Sequence, residues 1–441
     1  MKAWLLRKLT PKRQALLREK LERYKRIRSR ENIETYQLQR LQEVWQRAWK
    51  NIRFYDMLRS EHGLPSRIDS LDQLRDFPVL TKPLLQRYQT IINDQFRGFP
   101  TVVTGGSTGR PTTFITGKSE KDEEWANTYL GRYWNGIEPF DSAVLFWGHS
   151  HIFGQGIRGQ LNQLKRELFD RIIDITRLDA YDLALDTISD YFTKLMRARP
   201  RFVVGYTSLV FIMARAILDN KSWKKQAHAL GLRCVIVTSE TVTDAELAVI
   251  SEAFGCRVAV EYGMAETSVL SYTSRDSVDR MDLFWDSYVS YTGPANNLVV
   301  TSIYDRNFPL INYDTSDTVE LLDDSFPVFS INSVKGRIKD NVCVRRKDRG
   351  VKELSGILLV HILKSRPGIY SIQFAQLPDG HVHISLLAEE SVSLAELHTY
   401  FSGELNKDYP EVDANAFCLV RVRELERTVA GKYPIKVDAP Q

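Results

Sequence analysis

The sequence predicts an α/β protein: a large N-terminal domain with mainly parallel α/β sheets plus a small antiparallel β region, then a small α+β C-terminal lobe. Three observations carry this. At 441 residues the chain is too long for one ordinary compact core. From 140 to 262 short apolar runs alternate with amphipathic stretches, the pattern of strand–helix units laid into a parallel sheet. From 283 to 340 the helical pattern stops and short β-rich runs follow one another. Beyond Gly336-Arg337 small strands and helices mix, which puts the boundary near Lys339.

Taken in order, residues 11–50 are dense in Leu, Arg, Lys, Glu and Gln, all strong helix formers. Leu16, Leu17, Leu21 and Tyr24 recur at helical spacing, as do Leu38, Leu41 and Val44, so one or two exposed helices are expected over a basic arm, 1–50. The tip, 1–10, mixes Trp4, Leu5, Leu6 and Leu9 with Lys2, Arg7 and Lys8. That mixture suits peripheral contact with an anionic membrane surface; since charge runs are more often solvated faces, the favoured expectation is a solvated helix packed on its own domain or on the mate in a homodimer. In the domain 51–338, strands are expected at Ala143–Trp147, Ile172–Ile175, Phe202–Val204, Cys234–Val237 and Val258–Val260. Helices are expected at Leu161–Phe169, 182–197, Leu209–Leu218 and Asp244–Phe254. Antiparallel strands are expected around Tyr288-Val289, Leu298–Thr301, Val319–Leu321 and Val328–Ile331, and the lobe covers 339–441.

Composition narrows the function. With 43% hydrophobic and 26% charged residues the chain reads as soluble. No apolar run approaches the length of a membrane span, and the basic start has no secretory apolar core, so the expected location is cytoplasmic, or peripheral at the inner membrane surface if the tip binds lipid. Cys234, Cys256, Cys343 and Cys418 are far apart and form no metal-ligand spacing. Residues 1–30 hold twelve Lys/Arg and two Glu, whereas the rest holds 48 basic and 53 acidic residues. The body is therefore mildly acidic, and no nucleic-acid footprint is expected.

The segment from Thr101 to Phe114 is the most informative stretch. β-Formers flank three glycines and several hydroxyl residues, a loop whose backbone can approach a phosphate without a Cβ in the way. Gly105-Gly106-Ser107-Thr108-Gly109 also fits G-x-S-x-G, but a hydrolase elbow needs a helix after the serine, and Arg110-Pro111-Thr112-Thr113 is not one. A plain glycine hairpin remains open. Gly154-Gln155-Gly156-Ile157-Arg158-Gly159 fits the dinucleotide fingerprint, yet it starts six residues beyond the expected strand end at Trp147.

Five separated motifs together resemble the adenylate-forming superfamily of acyl-CoA synthetases and related adenylation enzymes, most closely its phenylacetate-CoA ligase branch with the CapK-type proteins. Asn51-Ile-Arg-Phe-Tyr-Asp56 and Phe77-Pro-Val-Leu-Thr-Lys82 resemble that branch as well, and the likeness runs from about residue 40 to 435. Thr104-Gly-Gly-Ser-Thr-Gly-Arg-Pro111 resembles the phosphate loop, which implies that Thr104, Gly105, Gly106, Ser107, Thr108 and Gly109 hold the ATP phosphates. Glu261-Tyr-Gly-Met-Ala-Glu-Thr267 resembles Y-G-x-[ST]-E, which implies Glu266 on Mg²⁺ and Tyr262 and Gly263 at the nucleotide. Ala265 replaces the usual hydroxyl residue, and Thr267 is the candidate substitute. Thr238-Ser-Glu240 resembles the branch's segment beside adenine, so Ser239 and Glu240 are nucleotide-site candidates.

Asn312-Tyr-Asp-Thr-Ser-Asp317 resembles Y-R-T-G-D, implying Asp317 on the ribose, although Asp314 and Ser316 depart from the pattern. Lys335-Gly-Arg-Ile-Lys-Asp340 resembles the hinge motif: Arg337 would reach ribose or phosphate, and Lys339 would be the pivot of a mobile lobe. Leu425-Glu-Arg-Thr-Val-Ala-Gly-Lys432 resembles the stretch that carries the catalytic lysine, here Lys432. The resemblance implies an adenylate-forming ligase using ATP and Mg²⁺, a small-molecule carboxylic acid, and an acyl acceptor. Coenzyme A is the commonest acceptor, and the CapK-type likeness leaves an amine or hydroxyl open. The acid pocket is expected to draw on 147–156, Tyr206 and 262–270, with His149 and His151 orienting the acid or serving as ordinary loop residues. A homologue that kept the fold and lost activity, and a dinucleotide enzyme, are the competing classes.

Overall fold

The computed structural model describes residues 10–103, 112–147, 168–178, 185–323, 325–337, 342–348, 350–354, 356–364, 366, 368–426 and 434–437. Residues 1–9, the loop 104–111, His149, His151, Lys339 and Lys432 lie outside that set, and the side chain of Arg337 is likewise not described.

Three helices open the described chain: α1 (Pro11–Arg26), α2 (Arg30–Asn51) and α3 (Arg53–His62). Pro11 starts α1 where a missing N–H costs nothing, and Arg23, Lys25 and Arg26 complement its C-terminal dipole. The expectation of exposed helices needs correcting on one face. Leu17 and Lys20 of α1 are buried, as are Ile33, Gln37, Leu41, Val44, Trp45 and Ala48 of α2. Lys20 reaches Glu123 Oε1 at 2.6 Å, Asp286 Oδ2 at 2.9 Å and Ser287 Oγ at 2.9 Å, and Arg23 meets Asp286 Oδ2 at 2.7 Å. A lysine in a basic stretch reads as solvent-facing from periodicity alone. Here two carboxylates from distant segments supply the compensation that burial demands.

The short helices α4 (Lys82–Arg87) and α5 (Gln89–Gln95) lead to a two-stranded hairpin, β1 (Thr101–Val103) and β2 (Thr113–Ile115), followed by α6 (Lys118–Trp134). Next come β3 (Ala143–Phe146), β4 (Ile175–Leu178), α7 (Leu185–Ala198), β5 (Phe202–Tyr206), α8 (Thr207–Asp219), α9 (Lys221–Ala229), β6 (Cys234–Thr238), α10 (Asp244–Phe254) and β7 (Arg257–Met264). Helix α10 begins and ends where the sequence places it. Thr243 and Glu246 form a reciprocal capping box, and Gly255 closes the helix at φ 64°. The strand expected at Ile172–Ile175 lies instead at Ile175–Leu178, because Asp174 adopts φ 56° and ends the preceding turn there.

Six strands follow: β8 (Ser268–Thr273), β9 (Met281–Leu283), β10 (Tyr288–Thr292), β11 (Asn297–Ser302), β12 (Tyr313–Leu321) and β13 (Ser330–Arg337). They join the parallel strands in one eleven-stranded sheet, ordered β10-β11-β12-β13-β9-β8-β7-β6-β5-β3-β4. From β7 to β4 every pairing is parallel; from β8 onward every pairing is antiparallel. The α/β class holds, and the structure adds that its two halves are a single sheet hinged on β7.

The C-terminal segment has its own core. It holds the pair β14 (Val342–Arg345) and β15 (Val351–Leu354), helix α11 (Gly356–Lys364), β16 (Ile369–Gln376), β17 (Val382–Ala388), α12 (Leu394–Asp408), β18 (Phe417–Arg421) and β19 (Lys436–Val437). Its four-stranded sheet runs β18-β17-β16-β19. Tyr370 and Leu387 of this segment pack on the apolar cluster around α8. Between them lies a cavity of ≈ 480 Å³ lined by Arg215 and Asp219 of α8 and by Arg366, Gly368 and Glu389, with both signs of charge and none of the candidate site residues. No helix among the described residues is long and apolar enough to cross a membrane.

Candidate active site

The parallel register sets the floor of the site. Tyr206 lies opposite Thr238, and Thr238 opposite Glu261, so the carboxyl ends of β5, β6 and β7 finish side by side. Ligands of open α/β sheets bind outside such ends. Ser239 follows β6 at φ 69°, a left-handed turn that stops the strand. The Glu240 carboxylate then turns back to cap α8, accepting from Ser208 N at 2.7 Å and from Ser208 Oγ at 3.2 Å. This occupies a helix end with an anion, as the dipole favours. Tyr206 is buried, its ring 5.0 Å from that of Trp147.

At the end of β7 the pairing with β8 shifts between Tyr262 and Gly263. Gly263 is required there: a Cβ would stand 2.4 Å from the Ser268 carbonyl oxygen and 2.8 Å from Val269 Cα. The bulge and the left-handed Ser268 (φ 59°) form the tight turn that carries Glu266.

The Glu266 side chain is only 2% exposed, and three elements meet on it. Lys82 Nζ, from the first turn of α4, lies 2.8 Å from Oε1. The Tyr313 hydroxyl, from the start of β12, donates to the same oxygen at 2.8 Å. Beneath, the buried Arg306 donates through Nη2 to the Glu266 carbonyl at 2.9 Å. The Tyr288 hydroxyl donates to the Thr267 carbonyl, and burial pushes this phenol well above its ordinary range, so it remains a donor. Thr267 itself is fully buried and its hydroxyl donates to the Ser268 carbonyl at 3.2 Å. The backbone around Glu266 is therefore held by Arg306 and Tyr288 while its carboxylate meets one cation, Lys82, and one hydroxyl, that of Tyr313.

The hairpin that spans residues 104–111 is attached to this cluster. Phe114 of β2 stacks edge-on against Tyr313, ring centroids 6.0 Å apart. Gln86 of α4 donates to Thr112 Oγ1 at 2.9 Å. The β2 foot of the loop thus stands next to the tyrosine that binds Glu266.

Asp317 sits on β12, buried, with Tyr262 OH donating to its Oδ2 at 3.0 Å. The two departures from the family pattern have local roles. Asp314 Oδ1 accepts from Ser316 N at 2.7 Å and from Asn297 Nδ2 at 2.8 Å, and Ser316 takes φ 61°. An aspartate that bonds the backbone two residues on builds the turn that elsewhere relies on glycine. Across the ladder Asp317 pairs with Arg337, so the backbone of the 335–337 segment enters next to the same residue.

The structure thus places Tyr206, Ser239, Glu240, Tyr262, Gly263, Glu266 and Thr267 at or just beyond the carboxyl ends of β5, β6 and β7, and joins Asp317 of β12 to them through Tyr262. Lys82, Tyr313 and Arg306 were missed by the sequence reading. Lys82 left a signal as the last residue of Phe77–Lys82, and Tyr313 as the tyrosine of Asn312–Asp317; Arg306 is recognisable only from contacts.

Mg²⁺ fits this donor set in one specific way. Among the described residues no group of three or more His, Cys, Asp or Glu forms a metal cage. A single carboxylate that already holds a cation suits a metal arriving with phosphates, which keeps phosphate and water oxygens as its other ligands.

No protein-family model matches the chain. Over 337 residues it is 23% identical to protein CapK of Staphylococcus aureus, a match spanning 74% of this chain and 72% of CapK. Among solved structures it is similar to 2-hydroxyisobutyryl-CoA ligase in the postadenylation state in complex with 2-HIB-AMP, with TM-score 0.69, 19% identity, and coverage of 92% and 89% of the two chains. For the same ligase with 2-HIB-AMP and CoA in the thioesterification state the TM-score is 0.57 at 21% identity, over 93% and 90%. A structure from studies of fatty acyl-adenylate ligases of E. coli and L. pneumophila gives 0.54 at 14% identity, over 76% and 67%. At such identities the likeness carries the fold.

Proposed function

We propose, from the adenylate-forming ligase fold that this chain carries, that it activates a carboxylic acid with ATP and passes the acyl group to an acceptor. In the first half-reaction a carboxylate oxygen attacks the α-phosphorus, the bond to the β-phosphate oxygen breaks, and acyl-AMP and pyrophosphate form. In the second, the acceptor's nucleophilic atom attacks the acyl carbon and AMP leaves.

The observation that carries this reading is the convergence of Glu266 and Asp317. One is a buried carboxylate already paired with a cation; the other lies on β12, the strand whose Tyr313 binds Glu266, and is tied to Tyr262. Asp317 offers two oxygens for a pair of ribose hydroxyls. Glu266 would hold Mg²⁺, which when bound neutralises phosphate charge. Ser107, Thr108 and the amides of the 104–111 loop would hold the phosphates, and Arg337 would reach ribose or phosphate. Lys432 would stabilise charge gathering at the α-phosphorus, a role worth about 3 kcal/mol. A lobe turning on Lys339 would bring it there.

Coenzyme A is the acceptor we favour. The likeness to CapK supports a second reading, in which an amine or hydroxyl of a sugar or metabolite takes the acyl group. The test is pyrophosphate release from Mg·ATP over a library of carboxylic acids, with the acyl-AMP identified by mass. ATP-dependent release with a matching acyl-AMP supports the reading; NAD or FAD binding without ATP dependence overturns it.

A further inference from the structure

The cation on Glu266 has consequences of its own. Lys82 approaches from the solvent side: its side chain is 26% exposed, whereas that of Glu266 is 2% exposed. A buried carboxylate needs a compensating charge, and Lys82 supplies it. Lys82 is also held in place by the fold. Leu80 N donates to the Asn312 carbonyl at 2.8 Å and Asp314 N donates to the Leu80 carbonyl at 3.1 Å, which lays the Phe77–Leu80 segment along the start of β12. Thr81 then caps α4 by accepting from Leu84 N at 3.3 Å, and Lys82 opens the helix. One turn on, Gln86 grips Thr112 at the foot of the 104–111 loop.

We propose that Lys82 is a substrate-anion-binding residue, a role resting on the nucleotide reading above. Its ammonium holds the cation position on Glu266 until a divalent metal arrives with the nucleotide, and then moves onto a phosphate oxygen of that nucleotide. The Glu266 backbone is anchored, because Arg306 and Tyr288 hold the successive carbonyls of Glu266 and Thr267. Lys82 can move, through a flexible four-carbon stem. A divalent cation and an ammonium on one carboxylate repel each other, and the phosphates delivered beside α4 are the nearest new source of negative charge. No bond is made or broken; the exchange is of ion pairs.

The charge exchange predicts effects of opposite sign. In Lys82→Met, affinity for Mg·ATP measured by calorimetry without any acid should fall by about tenfold, the scale of one charge-assisted hydrogen bond. Free Mn²⁺, followed by electron paramagnetic resonance without nucleotide, should bind the same variant severalfold more tightly than wild type, because its competitor is gone. Lys82→Arg should keep nucleotide affinity close to wild type. Circular dichroism checks folding, and Lys82→Gln replaces the Met variant if that one fails to fold. Affinities for Mg·ATP and Mn²⁺ that fall together mark a purely structural lysine and overturn the proposal, as does unchanged Mg·ATP affinity. An effect confined to the KM of the acid overturns the phosphate assignment. Wild-type protein that binds no Mg·ATP overturns the nucleotide reading itself, and this inference with it.

Discussion

The hydroxyl of Tyr262 donates to Oδ2 of Asp317 at 3.0 Å, joining the last parallel strand to an antiparallel strand 55 residues later. Both side chains are buried, and the bond crosses the point where the sheet changes direction. It ties two sequence motifs into one wall of the candidate nucleotide site.

If that wall binds ribose, Asp317→Ala should weaken ATP binding by roughly tenfold to a hundredfold, the range for hydrogen bonds to a charged group. Tyr262→Phe removes one donor and leaves the carboxylate, so its effect should be smaller. Calorimetric titration with Mg·ATP measures both. Wild-type affinity in Asp317→Ala would remove this residue from the site.

Gly263→Ala should be disproportionately harmful for one methyl group. The new Cβ would meet Ser268 O and Val269 Cα, both backbone atoms that cannot rotate away. The strain should cost about 1–3 kcal/mol and displace the turn that holds Glu266. A fall in thermal midpoint accompanied by loss of pyrophosphate exchange is the expected pair of results; full activity would show that the bulge can relax.

Lys432→Ala should lower pyrophosphate exchange by about 10²–10³ while leaving ATP binding nearly intact, since the lysine is assigned to the transition state rather than to the ground state. Exchange at the wild-type rate would contradict the assignment.

Lys20→Met should destabilise the protein by about 3–5 kcal/mol, because Asp286 and Glu123 would be left buried beside Arg23 alone. The same clamp predicts a pH profile. Burial alone would raise the Asp286 carboxyl, but Lys20 and Arg23 outweigh it and hold the group below its ordinary value. Its contribution is therefore present above about pH 4 and is lost as the pH falls through the depressed folded-state value. Burial alone would lower the Lys20 ammonium, yet Asp286 and Glu123 raise it, so its contribution is complete below about pH 10.4 and fades as the pH rises through the folded-state value. Thermal unfolding across pH, wild type against Lys20→Met, should show the difference shrinking in acid.

Some of this was legible before any coordinates. Helix α10 is marked at both ends by its capping box and Gly255, so its limits follow from local chemistry. Strands β3, β5 and β6 declare themselves as apolar runs, because strands covered on both faces must be apolar throughout. Tyr262, Gly263, Glu266 and Asp317 were legible as motif positions through the resemblance of Glu261–Thr267 and Asn312–Asp317 to adenylate-forming enzymes. The start of β4 was not, because a single left-handed residue, Asp174, shifted it by three positions.

What the sequence determined, then, is local: where strands and helices alternate, which turns need glycine, and which charged residues follow strand ends. These depend on neighbours within a few residues along the chain. The tertiary structure alone decided that Lys20 is a buried clamp rather than part of a solvated arm, and that Lys82, Tyr313 and Arg306 converge on Glu266. Each of those bonds joins residues far apart in sequence, and a charge's partner across such a gap is fixed by packing, not by pattern. A lysine looks the same in a sequence whether it faces water or a carboxylate; only the folded neighbourhood sets the dielectric and the counter-charge that give it a role.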